Sequence, residues 1–294
     1  MPAAIAYGFI GLGRMGGPMA ANLAKAGVPL AVFDKAGTAE RAPPGARAAQ
    51  NVAEIAAASD AIFLSLPAGP DVHAVLAEIL AARPRRAAGV IDLSTIGIAA
   101  AQEAARRAGA AGLFYLDAPV SGGRAGAIAA TIAVMCAGPR DKLEAHRPAL
   151  AAMAKNVFHV GDKPGQGQAL KLLNNFLSAT ATAATAEALL FGRAQGLELK
   201  TMLDVVNVST GASAASQGKY MRNVLPGTFD SGFGADQMAK DLRLYREALA
   251  AAGTAGAIGK DVAALWEAAT AELGNGDHTR VFEFLAKREK TERH

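Results

Sequence analysis

The sequence predicts an α/β domain with a doubly wound, mostly parallel sheet, followed by an all-α domain that a long helix joins to it. Three observations predict this. Short apolar runs recur through the first half of the chain, nearly continuous rather than alternating, as in strands buried on both faces. Alanine-rich stretches of helix length separate them, and strand–helix–strand repetition implies parallel pairing through crossovers. Beyond about residue 163 the strand pattern stops and a helical pattern takes over.

The elements follow in order. Residues 5–10 form the first strand and 15–26 the first helix. Residues 30–33, 61–66, 90–93, 113–116 and 131–136 read as strands, with helices over 71–82 and 99–108 among them. Residues 157–160 are the last strand. Gly161, Pro164, Gly165 and Gly167 then punctuate the chain. A long helix starts near Gly167, and the helical pattern breaks near 211–216 and 225–234. The expected domains are residues 1–163 and 164–294.

Composition narrows the function. Of 294 residues, 51% are hydrophobic and 19% charged, which excludes a disordered chain. The net charge of +4 is diffuse and lacks the dense basic stripe of a nucleic-acid binder. A lone Cys136 excludes an intrachain disulfide and a cysteine-rich zinc site. His73, His146, His159, His278 and His294 are scattered, without metal-ligand spacing. No basic stretch precedes the apolar start, as a signal peptide requires, and the uncharged stretch after Lys171 is rich in Asn, Ser and Thr, a poor membrane span. A cytoplasmic protein without nucleic-acid or membrane partners is expected.

Gly11-Leu12-Gly13-Arg14-Met15-Gly16 lies between the first strand and the first helix. In that context the pattern indicates a dinucleotide site: Gly11 permits a tight turn, Gly13 lets backbone approach a pyrophosphate, and Gly16 lets helix and strand pack closely. The helix start receives the anion. Asp34 ends the second strand, where an acid binds ribose hydroxyls and repels a 2′-phosphate. NAD is therefore the expected cofactor. The adjacent Lys35 could pair with a 2′-phosphate and leaves NADP open.

Lys171, Asn174 and Asn175 stand at i, i+3 and i+4, on one face of a helix. A lysine beside two amides on an otherwise apolar helix is not a core pattern. Desolvation can lower a lysine pKa toward neutrality, where it serves as an acid–base group. Ser121-Gly122-Gly123 follows a strand end, where open α/β sheets bind ligands; its small residues and hydroxyl suit a carboxylate. Arg124 adds a cation beside it, either touching the acid or solvated. No Gly-x-Ser-x-Gly elbow surrounds Ser121, so a hydrolase is not indicated.

The opening Gly8-Phe9-Ile10-Gly11-Leu12-Gly13-Arg14-Met15-Gly16-Gly17-Pro18-Met19 resembles the β-hydroxyacid dehydrogenase family, which includes 3-hydroxyisobutyrate dehydrogenase and tartronate semialdehyde reductase. Three further segments agree in the family's order: Asp117-Ala118-Pro119-Val120-Ser121-Gly122-Gly123, Gly165-Gln166-Gly167-Gln168-Ala169-Leu170-Lys171-Leu172-Leu173-Asn174-Asn175, and Lys240-Asp241-Leu242. The resemblance spans nearly the whole chain. It implies a Rossmann domain followed by a 6-phosphogluconate dehydrogenase-like helical domain, assembled as a homodimer or homotetramer. It makes Lys171 the catalytic lysine, with Asn175 orienting substrate or lysine and Asn174 packing or bonding locally. It places the substrate's acid group on Ser121, Gly122 and Gly123. Leu66 and Pro67 would touch the cofactor, Thr95 would lie near nicotinamide and substrate, and Lys240 would reach the cofactor, oriented by Asp241. Phe233 matches a substrate-pocket aromatic, or is a core residue.

The sequence departs from the family's pattern in two places. Ala130-Thr131-Ile132 stands where the family often has Gly-Thr-Leu, and residues 209–234 lack the tryptophan usual in 3-hydroxyisobutyrate dehydrogenases; the single tryptophan is Trp266. Four-carbon sugar acids and tartronate semialdehyde thus join 3-hydroxyisobutyrate as candidate substrates. The expected function is hydride transfer between a small β-hydroxy acid and NAD. The alternatives are an NADPH-dependent reductase of a short semialdehyde or ketoacid, and a non-catalytic dinucleotide-sensing module.

Overall fold

The computed structural model describes residues 5–292, with side chains to 288; His294 lies outside them. The chain forms two compact units, one ending at Lys171 and one beginning at Leu172.

The first unit is built on one nine-stranded sheet. Its strands are β1 (Tyr7–Ile10), β2 (Leu30–Phe33), β3 (Arg47–Ala48), β4 (Ala61–Leu64), β5 (Gly89–Asp92), β6 (Phe114–Asp117), β7 (Val120–Ser121), β8 (Ile132–Ala137) and β9 (Ala154–Gly161). Strands β3-β2-β1-β4-β5-β6 pair in that order, all parallel. β8 then runs antiparallel to β6 and β7, and β9 runs parallel to β8. The sheet is wound in both directions from the β1–β4 neighbours, where Tyr7 of β1 pairs with Leu30 and with Ala61. Open α/β sheets bind ligands at such a switch point, beyond the carboxyl ends of the strands.

Helices cover both faces, which is why the strands read as continuous apolar runs. On one face Tyr7, Phe9 and Phe63 pack with Met19 and Leu23 of α1 (Gly16–Lys25). On the other, Ile10, Ile62 and Leu64 pack with Ile55 of α2 (Val52–Ala58) and Leu76 of α3 (Gly69–Ala81). Ala101 and Ala104 of α4 (Ile98–Ala110) join this second face. α5 (Gly123–Ile128) and α6 (Arg140–Met153) add Ala127, Leu143 and Leu150 to the first. All seven expected strands are present, the second with unchanged ends and the others with an end shifted by one to three residues. The two-residue strands β3 and β7 are too short to show a period, and β4 stops at Leu64, leaving Leu66 in the loop beyond it.

α7 (Gln166–Ala194) is the long helix expected near Gly167. After it come α8 (Leu199–Asn207), a π-helical segment (Ala215–Val224), α9 (Ala235–Ala252), α10 (Ala257–Leu273), a short 3₁₀ turn (His278–Arg280) and α11 (Val281–Glu292). The core of the second unit centres on Trp266, fully buried, and Tyr220, whose hydroxyl donates to Thr182 O at 2.7 Å. The chain between α8 and the π-helical segment turns through a reciprocal serine pair. Ser213 N donates to Ser216 Oγ at 2.9 Å and Ser216 N to Ser213 Oγ at 3.1 Å. The loop before α9 is tied down by Asp277, which accepts from Ser231 Oγ at 2.9 Å and from Gly232 N at 2.8 Å. Neighbouring His278 is buried, and burial pushes its pKa down to about 4. Among the described residues no helix is long and apolar enough to cross a membrane.

Candidate active site

The glycine-rich turn caps the carboxyl end of β1. Gly11 adopts φ 96°, and a Cβ there would lie 2.3 Å from Ser65 O; both demand glycine. A Cβ on Gly16 would fall 1.9 Å from Gly11 O, so the start of α1 rests directly on the turn. Gly13 differs: no atom lies within 4 Å of its added Cβ. Gly13 and Arg14 are exposed, Leu12 is buried, Met15 is half-buried, and no side chain caps the start of α1. An exposed glycine beside an uncapped helix start fits a pyrophosphate, on which Gly13 presents backbone alone.

Asp34 binds the turn from the end of β2. Its Oδ2 accepts from Leu12 N at 2.7 Å and its Oδ1 from Ala36 N at 2.8 Å. Arg41 Nη1 stands 3.5 Å from Oδ1. Lys35, the cation the sequence singles out, pairs instead with Asp71 at 3.4 Å. The cation beside Asp34 is therefore Arg41, brought there by the turn in which Thr38 Oγ1 accepts from Asp34 N at 3.0 Å.

The loops after β4 and β5 are laced together. Leu66 N donates to Ser94 Oγ at 2.9 Å, and Ser94 N to Asp92 Oδ1 at 2.9 Å. Tyr115 Oη donates to the other oxygen of Asp92 at 2.7 Å. Burial raises the Asp92 carboxyl against these bonds. Pro67 is exposed and Thr95 half-buried in these loops. Ser121 lies on β7 opposite Ala133 of β8, half-buried. Gly122 follows at φ 133°, with its absent Cβ 3.2 Å from Ile132 Cα, and Gly123 opens α5. Gly122 and Arg124 are exposed.

Lys171 is buried, with 7% of its surface exposed. One turn earlier on α7, Gln168 is fully buried. Asp117, at the end of β6, is buried too; burial pushes its carboxyl up to about 6, with the charge of Asp92 adding to the rise.

In the second unit, buried Asp241 gathers the expected polar residues. Asn175 Nδ2 donates to Asp241 Oδ2 at 2.5 Å, and Asn174 Nδ2 donates to Asn175 Oδ1 at 3.1 Å. Lys240 Nζ lies 3.3 Å from Asp241 Oδ1, an ion pair without hydrogen-bond geometry. Phe233 is half-buried against the helical core, its ring edge-on to His278 at 5.7 Å between centroids. His159 bonds Gly138 O at 3.0 Å and Cys136 is fully buried, both structural. No cluster of metal-ligating side chains occurs among the described residues.

A glycine-turn dinucleotide site, a strand-end acid and a buried lysine together define a nicotinamide-dependent oxidoreductase. The comparisons agree. Residues 6–161 match the NAD binding domain of 6-phosphogluconate dehydrogenase, and residues 165–285 match the NAD-binding domain of NADP-dependent 3-hydroxyisobutyrate dehydrogenase. The chain is 39% identical to 2-(hydroxymethyl)glutarate dehydrogenase of Eubacterium barkeri, over 84% of this chain and 83% of that one. It is 38% identical to 3-hydroxyisobutyrate dehydrogenase of Pseudomonas aeruginosa, over 93% and 96%. The solved structure of Mycobacterium tuberculosis 3-hydroxyisobutyrate dehydrogenase with L-serine superposes with a TM-score of 0.87 at 34% identity, over 96% of this chain and 99% of that one. This chain belongs to the β-hydroxyacid dehydrogenase family, the NAD(P)-linked oxidoreductases of hydroxy acids.

Proposed function

We propose that this enzyme oxidises a small β-hydroxy acid with NAD, using Lys171 as the acid–base group. The observation that carries the proposal is a lysine 7% exposed in the first turns of α7, within the family's catalytic segment. Lysine is rarely buried unless a partner holds it there.

The roles follow from the site. Bound NAD supplies the ring that accepts hydride from the carbinol carbon. Gly11, Leu12, Gly13, Arg14, Met15 and Gly16 hold its pyrophosphate, Asp34 its ribose, and Leu66, Pro67, Thr95 and Lys240 its remaining contacts. Ser121, Gly122 and Gly123 hold the substrate carboxylate. Lys171 takes the hydroxyl proton as the carbonyl forms and returns it in the reverse direction. Asn175 and Asn174 orient the substrate, and Phe233 bounds it. Residues 1–163 are the cofactor domain and 164–294 the helical domain, in a cytoplasmic homodimer or homotetramer.

The substrate class is a 3-hydroxypropionate substituted at carbon 2. The compounds in the relatives' names, 2-(hydroxymethyl)glutarate and 3-hydroxyisobutyrate, share that unit. The test is nicotinamide absorbance with NAD and NADP against 3-hydroxyisobutyrate, glycerate, threonate, 4-hydroxybutyrate and 3-hydroxypropionate. Turnover of a 2-substituted 3-hydroxypropionate is expected. Turnover of 4-hydroxybutyrate alone would overturn the substrate class, and no turnover by a folded, NAD-binding enzyme would favour a sensing module.

Arg41 beside Asp34 supports a second reading, an NADPH-dependent reductase of a short semialdehyde or ketoacid. Removing the carboxylate leaves Arg41 to meet a 2′-phosphate. Asp34→Ala is therefore expected to raise KM for NAD at least about tenfold, the worth of one charge-assisted bond, and to lower KM for NADP. Unchanged values for both cofactors would remove Asp34 from ribose binding.

A further inference from the structure

We propose that Gln168 is a positioning residue that fixes Lys171 relative to the loop carrying Thr95. The inference rests on the reading of Lys171 given above. Its basis is one fully buried carboxamide with all of its hydrogen-bonding capacity in use. Gln168 Oε1 accepts from Ile96 N at 2.9 Å and Gly97 N at 3.1 Å. Its Nε2 donates to Ser94 O at 3.0 Å and to Asp117 Oδ1 at 2.7 Å.

The amide thus grips the backbone on both sides of Thr95. Asp117 completes the clamp from the helix side. Its Oδ2 accepts from Gly165 N at 3.0 Å and from Gln168 N at 3.1 Å, anchoring the first turn of α7 to the end of β6. The seat is tight: a Cβ on Gly167 would lie 2.5 Å from Met135 O and 2.7 Å from Asp117 O. Lys171 follows Gln168 by one helical turn, so the side chain that sets the loop also sets the rise and rotation of the lysine. A misplacement of about 1 Å at a reacting group can cost about 10²-fold in rate.

Only a carboxamide supplies two donors and two acceptors here. Gln168→Glu keeps the shape and the bonds from Ile96 N and Gly97 N, but loses the donor to Ser94 O and sets a second carboxylate against Asp117. Two such groups in contact share one proton, and repel when it is lost. Asp92 on β5, Tyr115 on β6 and Cys136 on β8 face this point and none of the three is cationic; Lys171, one turn further along α7, is the next cation on the same helix.

The experiment measures kcat per NAD-binding site, KM for NAD and the pH profile for Gln168→Glu, Asp117→Asn and the double variant, with Lys171→Ala alongside. At pH 8 Gln168→Glu is expected to lose at least about tenfold in kcat, within the range for a displaced reacting group, with KM for NAD little changed. Relative to wild type its activity should rise as pH falls and the shared proton returns. The double variant exchanges amide and carboxylate, restores the donor between the two positions though not the one to Ser94 O, and should recover part of the loss at pH 8. Should Gln168→Glu fail to fold, Asp117→Asn, which sets two donors face to face, carries the same kcat prediction.

Wild-type kcat per site in the single variants, or a double variant no better than either, would overturn the positioning role. If Lys171→Ala is inactive while Gln168→Glu is normal, the positioning inference alone falls. If Lys171→Ala turns over normally, the acid–base reading falls first.

Discussion

Lys171→Ala is expected to bind NAD as the wild type does and to lose at least about 10²-fold in turnover, within the 10²–10⁴-fold typical of a positioned acid–base group. Binding is spared because the bonds that hold Asp34 to Leu12 N and Ser94 to Leu66 N do not include the lysine side chain. Lys171→Arg should be as inactive as the alanine variant. A guanidinium keeps the charge, but it stays protonated and cannot accept the hydroxyl proton. Recovery of turnover by the arginine variant would mean that charge, not proton transfer, is the lysine's contribution. Steady-state kinetics with a fluorescence titration of NAD separates these outcomes.

Gly16→Ala and Gly13→Ala form a pair with opposite expectations. Alanine is better than glycine inside a helix by about 1 kcal/mol, so Gly16→Ala would stabilise α1 if nothing opposed it. Here the new Cβ falls 1.9 Å from Gly11 O, a backbone atom held by the bond from Gly11 N to Phe33 O at 2.9 Å. Overpacking against a fixed neighbour costs about 1–3 kcal/mol, and the clash wins. The expected result is a Tm lower by roughly 2–6 °C, with NAD affinity down at least about tenfold as the start of α1 moves off the turn. Gly13→Ala meets nothing within 4 Å, so its Tm should hold while NAD binding falls, because the methyl group occupies the space a pyrophosphate would use. Calorimetry with and without NAD reads both effects. Normal NAD binding by Gly13→Ala would show that the turn does not receive the pyrophosphate at that residue.

Much of this is legible in the amino-acid sequence. Strands buried on both faces leave a continuous apolar signature, so seven of the nine strands could be read directly. The two missed, Arg47–Ala48 and Val120–Ser121, are too short for any period. Gly11, Gly13 and Gly16 were legible because a turn between a strand and a helix restricts residue type locally. Lys171 and Asn175 were legible as polar residues at helical spacing on an apolar helix. Lys35 illustrates the limit: adjacency in sequence pointed to it, but the chain after Asp34 turns so that Arg41 meets the carboxylate and Lys35 meets Asp71.

The sequence by itself determined the class of fold, the glycine turn between β1 and α1 and the polar positions on α7, because each depends on neighbours within about one element. Tertiary structure decided what joins those pieces. Gln168 touches Ser94, Ile96, Gly97 and Asp117, residues distant along the chain and from two other strand ends. Asp241 likewise meets Asn175, 66 residues earlier in the chain. A buried amide or carboxylate is held by the groups that satisfy its hydrogen bonds. Those groups meet only once the sheet and helices have packed, so their pairing leaves no periodic trace in the sequence.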